Sequence, residues 1–288
     1  MRVVATLPPL AWLAREVGGD RLEVLALLDP RSDPEVGMLT PAAARALANA
    51  DVVFAVGGGV LPFEQQILPS LVRAGAPHVV AVLTEPEAGG EKPRAHRDHG
   101  AHVTRDPHAW LDPERMLDAA HRLTDRLAEL DPPAAPRYRQ SLALLVARVQ
   151  EVDERIRGRL AASDGGVLLS EHPTWEVLAR RYRTTVLTIE QEEREPSARR
   201  LREVIETARS ARVRTLAIGG GGRHRLARTV AREIGAAVVE VEPLAYDWLD
   251  SLERAAALAA AASPSSAREP SDPQGPDREP SDPRSPDG

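Results

Sequence analysis

At 288 residues, 42% hydrophobic and 28% charged, the chain can build a sizeable core in two medium domains or one large one. Its net charge of −6 leaves no basic footprint for nucleic acid. It has no cysteine, which excludes thiolate metal sites, thiol catalysis and disulfides, so a bound metal must take His, carboxylate or backbone oxygen. No apolar run is long enough to span a bilayer. Met1 leads directly into the strand-like Val3-Val4-Ala5-Thr6 with no signal peptide. Taken literally the chain is cytoplasmic, although a mature domain whose leader had been removed or mis-assigned would begin the same way.

In chain order, residues 2–6 read as a buried strand, Pro8-Pro9 as a break, and Leu10 to Val17 as a short helix closed by Gly18-Gly19. Leu22 to Leu28 is a second strand, and Thr40-Pro41 opens a helix with Thr40 as its N-cap. Strands at 51–56 and 78–83 flank a helix near 64–74. Residues 85–105 break the pattern with a Gly-, Pro- and charge-rich loop carrying His96, His99 and His102. Helix resumes from Pro113 to about Leu130.

Between Pro136 and Ala161, Tyr138, Leu142, Leu145, Val149, Val152, Ile156 and Leu160 recur at three- and four-residue steps. That predicts a helix of roughly 26 residues, about 39 Å long, enough to brace two domains. Strands near 167–169, 185–189, 215–218 and 237–241 then alternate with helices near 174–182, 197–209 and 224–234, and a last helix runs from Trp248 to Ala262. Alternation of this kind predicts an α/β chain with parallel sheets. The division expected is an N-terminal lobe at 1–133, a linking helix at 134–162, a C-terminal lobe at 163–262 and a tail at 263–288. The tail repeats an Arg-Glu-Pro-Ser-Asp-Pro decapeptide and holds no large apolar side chain, so it predicts disorder.

Four residues at strand ends or helix starts carry metal-ligating chemistry. Glu35 follows the second strand, His108 sits in Asp106-Pro-His-Ala-Trp-Leu-Asp-Pro113, His172 follows Val167-Leu168-Leu169, and Glu242 follows Val241. Strand ends facing a crevice are the usual ligand position in open α/β sheets, and two imidazoles with two carboxylates could close on one divalent cation. Ordinary capping and solvation would account for the same residues equally well. Gly57-Gly58-Gly59 and Gly219 to Gly222 lack the phosphate-binding patterns and predict tight turns. His224, between two arginines, is expected at the surface. His78 and His121 are expected to be structural.

These stretches resemble the metal-binding receptors of ABC importers for zinc and manganese. The likeness runs from about residue 2 to 262: Val4-Ala-Thr-Leu-Pro-Pro-Leu, Val17-Gly-Gly-Asp, Asp33-Pro34-Glu35 with Thr40-Pro41, the intact Asp106 to Pro113, Ser170 to Tyr182, Glu195-Pro196-Ser197 and Val241-Glu242-Pro243-Leu244. The resemblance implies two αβ lobes bridged by one long helix, with a metal in the interlobe cleft on Glu35, His108, His172 and Glu242. The family places His where Glu35 stands and commonly Asp where Glu242 stands. The harder donor set tolerates manganese or ferrous iron better, while His172 and a His-bearing loop before His108 lean to zinc. His96, His99 and His102 could capture zinc in that loop, or the loop could be an ordinary polar insertion.

The expectation is a monomeric, non-catalytic receptor that takes Zn2+, with Mn2+ or Fe2+ as alternatives, to a membrane permease. It would lie outside the cytoplasm, periplasmic or surface-anchored, like the lipoproteins of the family that include cell-adhesion types. Protonated imidazoles cannot ligate, so binding should weaken below about pH 6. The rivals are a cytoplasmic metal-dependent hydrolase or chelatase-like enzyme, with Glu171 the only base to nominate, and a degenerate receptor that binds metal poorly.

Overall fold

The computed structural model describes residues 1–35, 40–74, 77–83, 107–190 and 196–262. The histidines at 96, 99 and 102, Asp106, Glu195 and the repetitive tail lie outside the described residues. The chain forms two four-stranded parallel sheets. The first comprises β1 (Arg2–Ala5), β2 (Glu23–Ala26), β3 (Val52–Gly57) and β4 (His78–Leu83) in the order β2-β1-β3-β4. The second comprises β5 (Val167–Ser170), β6 (Thr185–Thr188), β7 (Thr215–Ile218) and β8 (Ala237–Glu240) in the order β6-β5-β7-β8. Both sheets turn back at their first strand, so the crevice lies beyond the carboxyl ends of β1 and β3 in one and of β5 and β7 in the other.

Helices alternate with the strands: α1 (Pro8–Gly18), α2 (Pro41–Ala48), α3 (Pro62–Ala74) and α4 (Pro113–Leu130) in the first half, α6 (Glu176–Tyr182), α7 (Ala198–Ser210), α8 (Arg225–Ile234) and α9 (Trp248–Ala260) in the second. Between them runs α5 (Ala135–Ala162), 28 residues long, about 42 Å at 1.5 Å per residue. All seven members of its predicted stripe, Tyr138 to Leu160, are buried. It packs on α1 and α4 on one side and on α9 and α6 on the other, so one apolar core runs through both lobes along this helix. Trp12 of α1 and Trp248 of α9 meet edge to face across the join, with centroids 6.2 Å apart.

Local chemistry sets the element ends. Thr40 accepts from the Ala43 amide at 3.1 Å and caps α2. Pro8-Pro9, expected as a break, instead opens α1, because the first helical positions have no use for the amide that proline lacks. After β3 the chain reverses through Gly57, whose φ is +75°. A Cβ there would come within 2.5 Å of the Leu83 carbonyl oxygen, so only glycine lets β4 lie so close. The fully buried Glu64 accepts from the Val56 and Gly57 amides at 2.9 and 2.8 Å and closes that turn.

Candidate metal centre

His108 reaches the crevice because of the turn and the helix on its carboxyl side. Residues Ala109–Leu111 form a single tight turn, and Asp112 then caps α4 by accepting from the Glu114 amide at 3.0 Å. Trp110, completely buried, lies with its ring 5.3 Å from the His108 ring at 62°. Its indole N–H donates to the Pro243 carbonyl at 3.1 Å. The loop holding His108 is thereby tied to the loop holding Glu242 in the other lobe. The His108 Nε2 lies 3.6 Å from Glu35 Oε1, and Asp33 Oδ1 accepts from the Glu35 amide at 2.9 Å to shape that turn.

On the opposite lobe, pairing between β5 and β6 continues past the strand ends. The Ile189 amide donates to Ser170 O and the Glu190 amide to Glu171 O, at 3.1 and 2.9 Å. This sets Glu171, His172 and Glu190 side by side. His172 Nδ1 lies 2.9 Å from Glu190 Oε2. His224, at the start of α8 with φ +45°, pairs through Nδ1 with Glu171. Burial pushes the Glu190 carboxyl above its usual range, opposed by His172; Glu171 and Asp33 push it further up and His224 draws it back.

Glu242 is fixed by backbone. Its two oxygens accept from the Gly220 and Leu244 amides at 3.0 and 3.2 Å. Burial raises its pKa against those two bonds and the nearby Arg31. A cation would relieve that desolvated charge. Beside it, the Gly221 amide donates to the Arg31 carbonyl at 2.6 Å, so the glycine loop lies against the loop that leads to Glu35.

The four residues singled out in the sequence thus sit around one crevice. The structure brings Glu35 and His108 into contact, ties the Glu242 loop to the His108 loop, and pairs His172 with Glu190. It does not draw them into a closed shell: among the described residues, no three His, Asp or Glu side chains are placed to hold a metal ion together. Sequence reasoning missed Glu190 and misplaced His224, whose side chain is only 10% exposed. Both directly follow a strand or open a helix at the crevice edge, the only signal that could have found them. Glu171, nominated as a base, is buried and engaged by His224. His78 starts β4 at the opposite sheet edge and His121 lies exposed on α4.

Residues 3–260 match the family described as zinc-uptake complex component A, periplasmic. The chain belongs to that family. A relative, the zinc-binding lipoprotein AdcA of Streptococcus pneumoniae, is 23% identical over 252 residues, which are 85% of this chain and 50% of AdcA. The chain therefore spans half the length of that relative. A putative metal-binding protein of Treponema pallidum is 25% identical over 244 residues, covering 82% of this chain and 77% of its own. Among solved structures, the crystal structure of ZnuA aligns with a TM-score of 0.77 at 28% identity, over 91% of this chain and 98% of that one. The periplasmic zinc binding protein TroA from Treponema pallidum aligns over the same shares at 0.75 and 17% identity, which speaks to the fold alone. Two parallel-sheet αβ lobes joined by one long helix are the architecture these family members share with this chain. The rival enzyme reading gains no support from them.

Proposed function

We propose that this chain is the receptor of a metal importer: it takes up one divalent cation, zinc ahead of manganese or ferrous iron, and presents it to a membrane permease without chemical change. The observation that carries this reading is the meeting, at one crevice between the lobes of a zinc-uptake family member, of the loops bearing Glu35, His108, His172 and Glu242. In this reading His108 and His172 supply neutral imidazoles and Glu35 and Glu242 supply carboxylates. The lobes are residues 1–133 and 163–262, with 134–162 between them. Periplasmic or surface-anchored placement belongs to the same reading; among the described residues no helix is long and apolar enough to cross a membrane. The common core along α5 limits wide opening, so the cation enters and leaves through local loop shifts.

The ion must draw Glu35–His108 and His172 together, since they stand as separate pairs without it. Calorimetric titration of the metal-free protein with zinc and with manganese, beside a His108→Ala/His172→Ala double variant, tests this. Tight one-to-one zinc binding, weakened at least about 100-fold in the variant, is expected, since loss of supporting residues alone costs 10–100-fold. Binding no tighter than micromolar by either ion would overturn the reading and leave a receptor fold that no longer carries metal.

A further inference from the structure

His172 leaves β5 with its side chain 49% exposed, so packing does not fix the ring. Its backbone is held, because Ser170 Oγ donates to the His172 carbonyl at 2.8 Å. Its ring is held by a neighbour that no part of the sequence motif contains: Glu190, at the end of β6, with Oε2 2.9 Å from Nδ1. An ionised carboxylate can only accept, so a contact this short requires the proton on Nδ1. In the neutral ring that leaves Nε2 as a free lone pair, the form a divalent cation needs.

The geometry points to Glu190 as the residue that positions His172 for metal capture: it holds the ring, selects the Nδ1–H tautomer and makes Nε2 a stronger donor. This rests on the receptor reading with His172 as ligand. No neighbouring carboxylate can take over the task. Glu171, the nearest in the fold, is buried and already bound to His224 Nδ1, and the backbone pairing of β5 with β6 keeps Glu171 and Glu190 on their separate tasks.

Three variants of the full chain separate the possibilities: Glu190→Ala, Glu190→Gln and His172→Ala, titrated with zinc in competition with a chelator. In parallel, nitrogen-15 spectra of the metal-free proteins above pH 8 report which ring nitrogen of His172 carries the proton. Glu190→Ala should bind zinc about 10–100-fold more weakly, and its His172 ring should shift toward the Nε2–H form. Glu190→Gln should lose less affinity and keep the Nδ1–H ring, because the amide oxygen still accepts; a general loss of structure would not reproduce that order. Parental affinity in Glu190→Ala while His172→Ala has lost it, or an Nε2–H ring in the parent, overturns this proposal alone. Parental affinity in His172→Ala overturns the ligand assignment beneath it.

Discussion

The spine of the molecule and its crevice are built on opposite terms. Along α5 everything is closed: seven apolar side chains are buried in one stripe, Trp12 and Trp248 interlock, and Asp153 is saturated. Asp153 takes Arg181 through two bonds of 2.8 and 2.9 Å, Arg157 at 2.8 Å and the Tyr182 hydroxyl at 2.6 Å. In the crevice, polar groups arrive singly from separate loops, pair at up to 3.6 Å, and leave His172 half exposed. The difference teaches that stability and metal capture rest on different residues. Arg181 is the main exception, since its Nη1 also reaches Asp112 and Glu114, at 3.6 and 3.4 Å, at the start of the helix behind His108.

The sharpest way to separate the two regions is Trp248→Ala. Emptying the site of a fully buried tryptophan at the joint of the lobes should cost about 3–5 kcal/mol of unfolding free energy. Denaturant unfolding of the metal-free protein would show it, while the folded fraction still binds one zinc with parental affinity. A variant that kept its stability but lost zinc would mean that the spine itself shapes the site.

A smaller effect tests the one charged knot in the spine. Burial pushes the Asp153 carboxyl up, but hydrogen bonds from Arg181 and Tyr182 outweigh it and bring its pKa down to about 2. Unfolded, an aspartate titrates near 3.9. A group depressed in the folded state stabilises the fold above the unfolded pKa, and that contribution is lost as pH falls through the folded one. The parent should therefore lose stability between about pH 4 and pH 2. Asp153→Asn should lack that slope and be weaker at pH 7 by about 2 kcal/mol, less than the 3–5 of a wholly buried pair because Arg181 keeps some solvent and other partners. Equal slopes in the two proteins would assign the acid sensitivity elsewhere.

The spine was the more legible region, and the reason is periodicity. A repeat of three and four residues can only mean one helical face, and from Tyr138 to Leu160 it marks the face that is buried. The motif around His108 was legible through local chemistry, since the Asp112 cap and Pro113 belong to the same few residues. Glu190 and His224 were not legible. Their partners, His172 and Glu171, are 18 and 53 residues away in sequence, and only the parallel register of β5 with β6 and β7 brings each pair together. The start of α1 was misread because Pro-Pro signals a break and a first turn equally well.

The smallest expected effect lies where the two regions meet. A Cβ on Gly221 would stand 2.7 Å from the Arg31 carbonyl oxygen, a backbone atom that can yield only by moving its loop. That loop leads to Glu35, and the neighbouring Gly220 amide holds Glu242. Gly221→Ala should cost only about 1 kcal/mol of stability, at the low end for overpacking, yet weaken zinc binding several-fold by spreading two ligand loops. Gly220→Ala is the control: at φ +75° with open space around the added methyl, it strains its own backbone by a similar amount and pushes on nothing. Melting and zinc titration of both variants decide the point. If they lose stability alike and only Gly221→Ala loses affinity, the separation of Glu35 from Glu242 governs capture. If both keep parental affinity, the crevice tolerates a wider mouth, and the pairs at His108 and His172 alone set how tightly the ion is held.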